Sequence, residues 1–490
     1  MKKLIFSAML AMAMLPCGGD PAGAQEKQVS GKNSKNIALT IYNQNFGLVK
    51  DVREIELDKG INFVRFSDVA AAIDPTTVNF MSLTAPNTVV VREQNYQYDV
   101  MDRDTILNKL VGETITLKRY ADNGSSTETT GELLNPPIVT IVDTNGNPRT
   151  KHSGIVLKTD DGIVVSPAGE LKLSALPKDL VPKPALLWKL EAVKGGLHDT
   201  EISYQTRGLS WRCDYVAVAN DDDSQVDLTS WVTLDNKSGS SYKNASLKLL
   251  AGDVHRVQPQ VHHRMAMMKS TMAEAAMDNQ FSEKSFAEYH LYSLAGRTNV
   301  NNNETKQMSL FNANGVPTRK LYLFEPQGAH PIIYGGGGGD AGKKINVKLE
   351  IENVKKNNLG MALPKGKVRV YKRDSDGALQ FVGEDLIDHT PRDEKIRLYI
   401  GDAFDLVGEH KQMSYTRPNQ RTTRATYQIS LRNHKDEDVE ITAVEHANGD
   451  WKIKSSSHKY KKTSSSKFEF TVNVPKRGET VIDYEIEIRY

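Results

Sequence analysis

Imidazole and thioether side chains are concentrated in one polar stretch of the chain, residues 258–283. The stretch contains HHRMAMMKSTMAEAAM, and its metal-ligand types are His262, His263, Met265, Met268 and Met272. Such soft donors suit Cu(I), so these residues are the candidate metal ligands. Met265, Met268 and Met272 also follow helical spacing, which is typical of an apolar stripe that contacts a partner. A loop without regular structure is the third interpretation of the stretch.

Oxygen ligands for a hard cation occur at two other places in the sequence. Asp221, Asp222 and Asp223 are consecutive, so their carboxylates point in different directions and lack the alternating spacing of a calcium loop. The segment 143–147 (DTNGN) has better spacing but no distal carboxylate. Both segments are therefore predicted to be turns rather than calcium sites.

Sequence motifs of catalysis and nucleotide binding do not occur in the chain. It has no GxSxG, HExxH or CxxC motif, and the glycine run 335–339 lacks the Lys-Ser/Thr that completes a P-loop. His198 and Asp199 are adjacent, so on a strand they point to opposite faces and cannot pair. We predict no catalytic residues and no cofactor. A polysaccharide- or peptide-acting hydrolase, with a carboxylate pair assembled by the fold, is the alternative that 61 acidic residues leave open.

The length and charge of the chain limit its architecture and its partners. A chain of 490 residues is too long for one hydrophobic core and suggests about three domains. Its 63 basic and 61 acidic residues leave a net charge of +2, so the molecule lacks the broad positive field of a general nucleic-acid binder. Nucleic acid is not an expected partner.

The N-terminus has the features of a secretory signal peptide, residues 1–24. Lys2 and Lys3 precede a short apolar segment, and the small residues Ala22 and Ala24 mark a cleavage site. The protein is therefore expected in the periplasm or outside the cell. A lipoprotein anchored through Cys17 is the alternative, although proline precedes that cysteine. No later apolar run is long enough to span a membrane, so the mature chain is expected to have no transmembrane segment.

Alternating apolar and polar residues between turn signals predict a mainly β, multi-domain protein with few short helices. Asp161-Gly162 and Asp376-Gly377 are typical hairpin turns. Trp211, Cys213 and Tyr215 share one face of a predicted strand, and their types indicate burial. The predicted regions are a disordered leader at 25–36, an N-terminal β domain at 37–112, a small SH3-like barrel at 113–190, and β-sandwiches over 191–490 that include the insertion 258–283 and an immunoglobulin-like sandwich at about 424–490.

Three longer segments carry a family resemblance. TRGLSWRCDYVAV, DLTSWVTLDNKSGSSYKNASLKLLAGDV and VGEDLIDHTPRDEKIRLYIGDAFDLVGE resemble the bacterial family called domain of unknown function 4139. The likeness covers about residues 195–490, and distant relatives of the family are named mucoidy inhibitor A. The resemblance implies an exported, β-rich protein connected with the cell envelope or surface polysaccharide. It supplies no catalytic residues.

These observations together predict an exported, non-enzymatic protein of the cell envelope. It is expected to bind or scaffold through the surfaces of its β-sandwiches. The partner is either another envelope protein or a surface polysaccharide, and the sequence does not determine which. The Met-rich stretch is its predicted contact element.

Overall fold

The computed structural model describes residues 26–142, 147–177, 180–255, 280–326 and 344–489. This part of the chain is mainly β-strand, organised in several sheets, which confirms the predicted fold class. No helix within these ranges is long and apolar enough to cross a membrane. The chain forms two compact units: the first comprises Met1–Ala38, Leu48–Arg207 and Lys237–Ala245, and the second comprises Leu39–Gly47, Gly208–Asn236 and Ser246–Tyr490.

The elements up to residue 255 are mostly short strands. In chain order they are β1 (Lys27–Val29), β2 (Ser34–Tyr42), β3 (Phe46–Leu57), β4 (Gly60–Ser67), β5 (Asn79–Ser82), β6 (Val89–Gln97), α1 (Arg103–Lys109), β7 (Thr114–Tyr120), β8 (Ser126–Leu133), β9 (Ile138–Val142), β10 (Pro148–His152), β11 (Val156–Thr159), β12 (Gly162–Val165), β13 (Glu170–Lys172), β14 (Ala185–Ala192), β15 (Gly196–Arg207), β16 (Leu209–Ala219), β17 (Gln225–Asn236) and β18 (Tyr242–Ala251).

The later elements include the two longest strands. They are β19 (Phe281–Phe286), β20 (Tyr289–Val300), β21 (Glu304–Phe324), β22 (Lys344–Glu352), β23 (Gly366–Arg373), β24 (Leu379–Ile387), β25 (Lys395–Asn419), β26 (Thr422–Asn433), β27 (Val439–His446), β28 (Asp450–Ser456), β29 (Tyr460–Ser464), β30 (Lys467–Val474) and β31 (Glu479–Arg489). Short 3-10 turns occur at Gly31–Asn33, Pro75–Thr77 and Lys355–Asn357.

In the first unit, one sheet has the strand order β1-β4-β14-β6. Its apolar face is organised by Trp188, which is buried against Phe66 and Phe80 with ring centroids 5.2 Å apart in each case. The indole N–H of Trp188 donates to Gln94 at 2.9 Å, so burial of the ring leaves no polar atom without a partner. The contacts of Trp188 therefore determine which of the two faces of β14 points toward the core.

The region predicted as a small SH3-like barrel contains a five-stranded sheet of order β12-β11-β8-β7-β13. In the described part of this region its outer strands do not pair with each other, so the sheet is open. Asp102 is the N-cap of helix α1, and its carboxylate accepts a hydrogen bond from the backbone N–H of Thr105 at 2.7 Å. The helix buries Leu107 against Leu117 and Leu157 of the sheet. A separate hairpin is formed by β9 and β10.

In the second unit, a long sheet has the order β24-β23-β16-β17-β21-β22-β25-β26-β31-β28. Strand β16 supplies Trp211, Cys213 and Tyr215, all of which are buried on one face as the alternation predicts. The Trp211 indole donates to the carbonyl of Leu250 at 3.2 Å, and the Tyr215 hydroxyl donates to that of Pro364 at 2.6 Å. These residues are therefore part of the core.

The C-terminal sandwich packs two groups of strands around one apolar core. The second half of β25 with β26, β31 and β28 forms one side, and β27, β30 and β29 form the other. Alternate residues on each strand point inward. They include Tyr427, Ile429, Phe468, Phe470, Ile482 and Tyr484. Phe324 and Leu406 from β21 and β25 join the same core, so the sandwich also takes in residues before the predicted boundary near 424.

A substitution at Gly408 can test how tightly the core of the sandwich is packed. A Cβ atom at this position would overlap the ring of Phe324, which is fully buried. Gly408→Ala is therefore expected to destabilise the sandwich by about 1–3 kcal/mol in chemical unfolding, which is typical of overpacking. Lys411→Ala, an exposed change on the same strand, is the control and should stay within about 0.5 kcal/mol of wild type. Equal stability of G408A and wild type would contradict the packing described.

Cys213 provides a second test, because burial raises the pKa of its thiol to about 12. The thiolate is the reactive form of cysteine, so the native protein should not react with a thiol reagent at pH 8. We expect labelling of Cys213 only after unfolding in denaturant, measured by mass spectrometry. Cys213→Ala identifies any signal from another cysteine. Rapid labelling of this residue in the native state would show that the face is accessible.

Candidate functional site

The predicted copper ligands and contact residues lie outside the described residues. These are His262, His263, Met265, Met268 and Met272, all within 256–279. The copper and partner-contact predictions for them therefore remain predictions. Among the residues that the structure does describe, no group of three or more His, Cys, Asp or Glu side chains is placed to hold a metal ion.

Residues on both sides of 256–279 form ion pairs. Before it, Lys365 pairs with Asp253 at 3.2 Å. After it, Glu283 accepts from His290 at 2.7 Å and lies 3.7 Å from Arg392. Burial acts to raise the pKa of Glu283, but the contact with His290 and the charge of Arg392 lower it overall. These ion pairs join the described residues on either side of the segment to other residues of the second unit.

A neutral histidine, His389, lies close to Lys365 of the first of these ion pairs. The backbone N–H of Lys365 donates to Nδ1 of His389 at 3.2 Å. The Nε2 atom lies 3.3 Å from the side-chain amide of Asn43. Burial, followed by the positive charge of Lys365, lowers the pKa of His389. These contacts place His389 between the segments that carry Asn43 and Lys365.

The acidic residues 221–223 form a turn with a structural role. Asp222 accepts from the backbone N–H of Ser224 at 3.1 Å. Asp223 has a positive φ of 59° and accepts from Lys320 at 2.7 Å and from Lys372 at 2.8 Å. Its carboxylate therefore joins strands β21 and β23 to the turn. In the other predicted turn, residues 143–146 lie outside the described part of the chain.

His198 is buried, and both of its ring nitrogens have partners. Nδ1 lies 2.9 Å from the hydroxyl of Ser82, and Nε2 lies 3.2 Å from the carbonyl of Lys194. Asp199 points the other way and pairs with Lys35 at 2.6 Å. A substrate cannot reach the Ser82 hydroxyl, because only 2% of that residue is exposed. The pair is therefore structural.

A concave surface occurs at the edge of the C-terminal sandwich, which we call the edge groove and define as residues 453–460. It follows the end of β28, the turn after it, and the start of β29. Its volume is about 520 Å3, and it is widely open to solvent rather than enclosed. The lining residues are Ile453, Lys454, Ser455, Ser456, Ser457, His458, Lys459 and Tyr460.

The turn in the edge groove is fixed by hydrogen bonds to the neighbouring strand β31. The backbone N–H of Ser457 donates to the carbonyl of Asp483 at 2.8 Å, and the N–H of Asp483 donates to the Ser457 hydroxyl at 2.9 Å. The Ser457 hydroxyl also lies 2.9 Å from Nδ1 of His458. The backbone N–H of His458 donates to Ser456. The shape of the groove is therefore built into the fold.

Positive charge is concentrated in the chain segment that forms the edge groove, whereas the adjacent strands place Glu485 opposite Ser455 and Glu469 opposite Lys461. The segment 450–467 contains six lysines and one acidic residue, although the whole chain carries only +2. Lys462 lies over the ring of Trp451 at 4.2 Å, and Lys467 pairs with Glu325 at 3.2 Å. Lys459, which lines the groove, has no carboxylate within ion-pair distance among the described residues.

The buried carboxylate of Glu487 lies on β31, opposite Lys452 of β28. Arg424 donates to it at 2.7 Å and Arg489 at 3.2 Å. The hydrogen bond from Arg424 is the main reason that the pKa of Glu487 is lowered, and Lys454 contributes further attraction. Because Glu487 already balances two arginines, Lys454 adds charge that this carboxylate does not neutralise.

The segment SSSHK, residues 455–459, carries no sequence motif that predicts a groove. The available signal was the lysine density of 450–467 in a chain of almost zero net charge. What the sequence could not provide was that β28 and β29 both lie at sheet edges. Strand pairing decides this, since β28 ends the long strand path and β29 pairs with β30 alone.

The fold is that of a multi-sheet β protein with a lysine-rich groove at the edge of its last sandwich. The chain belongs to the family described as Domain of unknown function (DUF4139), whose profile matches residues 200–490. This confirms the family resemblance seen in the sequence. Comparison with curated proteins gives no match, so the likeness to mucoidy inhibitor A stays a prediction.

The acidic turn generates a stability prediction. Burial acts to raise the pKa of Asp223, but Lys320 and Lys372 lower it overall. The stabilisation is therefore present above the ordinary pKa of 3.8 and is lost as the pH falls through the lower native pKa. Asp223→Asn should cost about 1–2 kcal/mol at pH 7 and should remove this part of the acid dependence.

Unfolding measured against pH, with and without calcium, checks this prediction. Asp221→Asn is the matched control, because Asp221 is exposed, and its stability should match that of wild type. Added calcium should leave the midpoint unchanged. A calcium-dependent rise that both substitutions abolish would show that the turn is a metal site.

Proposed function

We propose that the protein is exported and acts in the cell envelope as a non-enzymatic binding or scaffolding protein, with the edge groove as its contact surface. The proposal rests on a concave, hydrogen-bonded turn that carries Lys454 and Lys459. Neither lysine forms an ion pair among the described residues, and the whole chain has nearly zero net charge. A protein of nearly zero net charge exerts little long-range electrostatic attraction on a ligand. The local positive charge of the groove therefore directs a ligand to this surface.

Export is supported by the sequence of residues 1–24, which lies outside the described residues. The charged start, apolar segment and small-residue cleavage site are those of a secretory signal peptide. Processing at Cys17 instead would give a lipid-anchored form of the same binding protein. In both cases the sandwich surface faces the contents of the envelope.

The pKa shifts of the described carboxyl groups bear on the choice between binding and hydrolysis. A glycosidase needs one carboxyl whose pKa is raised, so that it can donate a proton near neutral pH. The resolved carboxyl shifts in the described part of the chain are all downward, as at Glu487 beside Arg424 and at Asp402 beside Lys344. Such groups are charged at neutral pH and accept ion pairs or hydrogen bonds. None of the described carboxyl groups with a resolved shift has the raised pKa that a general acid of the hydrolase alternative needs.

Filling the edge groove tests the proposed function. Ser455 is exposed and lines the groove, so Ser455→Trp should occupy it while leaving the core intact. We expect the immobilised mature protein to retain material from an envelope fraction of the source cells, and S455W to lose at least half of it. Ser464→Trp is the matched control, because Ser464 is exposed on β29 but does not line the groove.

The unfolding midpoints of both variants should lie close to that of wild type. Retention by S464W with loss by S455W supports the groove as the contact surface. Unchanged retention by S455W would mean that the ligand is bound elsewhere, and the proposed function of the groove would then be abandoned.

A further inference from the structure

The edge groove has a lining that indicates the chemistry of its ligand. We propose that it binds an anionic glycan, a sugar chain that carries carboxylate, sulfate or phosphate groups. This inference rests on the proposed binding function and names the ligand class for the same surface. It is derived from the charge, the hydroxyl groups and the aromatic ring of the groove.

The cations of the groove select for an anion. Lys454 on β28 and Lys459 in the turn after it are exposed and line the surface. Glu487, the carboxylate that attracts Lys454, is already shared with Arg424 and Arg489. Lys459 has no carboxylate partner in the described part of the molecule. An anionic ligand would therefore meet ammonium groups that need not first give up an ion pair.

Hydroxyl groups and one aromatic ring favour a sugar chain as the carrier of those anions. Ser455 and Ser457 are exposed beside the lysines. Hydroxyls both donate and accept hydrogen bonds, which matches the same dual capacity of sugar hydroxyls. The ring of Tyr460 is 42% exposed at the end of the groove, and its inner side packs on Phe468. It presents a fixed aromatic surface to the apolar side of a sugar ring.

Two other polyanions match the groove less well. Double-stranded DNA is usually bound by a broad positive field, which a chain of net charge +2 lacks. A membrane surface is usually bound by a protruding segment with exposed apolar side chains. The edge groove is concave, and Tyr460 is the one large apolar side chain of its lining that is strongly exposed.

The test uses the full mature chain and probes of defined chemistry. The glycan probes are polygalacturonate, which carries a carboxylate on each sugar, dextran sulfate, and uncharged dextran as the neutral comparison. Vesicles containing phosphatidylglycerol and a short DNA duplex represent the other polyanions. Binding is measured by calorimetry at two salt concentrations, because contacts between exposed charges weaken as salt is added.

We expect at least one anionic glycan to bind more than about tenfold tighter than dextran, with affinity falling as salt rises. The double variant Lys454→Gln/Lys459→Gln should lose about five- to tenfold in affinity. Lys454→Arg/Lys459→Arg should retain it, because the charge is kept. Lys355→Gln/Lys356→Gln removes two exposed lysines outside the groove and is the matched control, expected to bind like wild type.

Three results would overturn the glycan assignment. They are equal binding of dextran, an equal loss in K355Q/K356Q, or groove-dependent binding to the vesicles or the DNA that exceeds binding to every glycan. If no anionic glycan binds while S455W still abolishes retention of envelope material, the ligand class is wrong and the proposed function stands. If S455W retains that material, the proposed function itself fails.

Discussion

One strand, β25, determines where the edge groove of the second unit lies. Over residues 395–407 it pairs with β22, and over 406–419 it pairs with β26. The same continuous backbone therefore belongs to the long sheet and to the C-terminal sandwich. Its register with β26 sets that of β31, and β31 in turn holds both β28 and the Ser457 turn. The edge groove depends on this series of pairings.

Burial of side chains, rather than cross-linking, stabilises this arrangement. Cys213 is a free, buried cysteine, so it closes no disulfide and behaves as a small core residue. Each large apolar side chain removed from water contributes roughly 1.5–3 kcal/mol. Polar atoms inside the core need internal partners, and the Tyr484 hydroxyl donates to buried Glu445 at 2.9 Å. Lysines are left on the edge strands, where charge also discourages pairing with other chains.

Local patterns in the sequence were sufficient to predict many strands and several turns, but the predicted disordered leader at 25–36 is wrong, because β1 pairs with β4 there. The shared buried face of Trp211, Cys213 and Tyr215 follows from alternation alone, and the predicted hairpin at Asp376-Gly377 forms with a positive φ of 84° at the glycine. The length of β25 could not be predicted, because register shifts near Gly401 and Asp402 interrupt its alternation. The edge groove could not be predicted either, since it requires knowledge of which strands remain unpaired on one side.

The central claim is that the groove lysines contact an anionic ligand, and amine-acylation footprinting tests it most directly. The mature protein is briefly labelled with an acylating reagent, with and without saturating polygalacturonate, and each lysine is quantified by mass spectrometry. The account predicts slower acylation of Lys454 and Lys459 with the glycan present and unchanged acylation of Lys355 and Lys356. Equal rates at Lys454 and Lys459 with the glycan bound, or protection spread evenly over all exposed lysines, would contradict it.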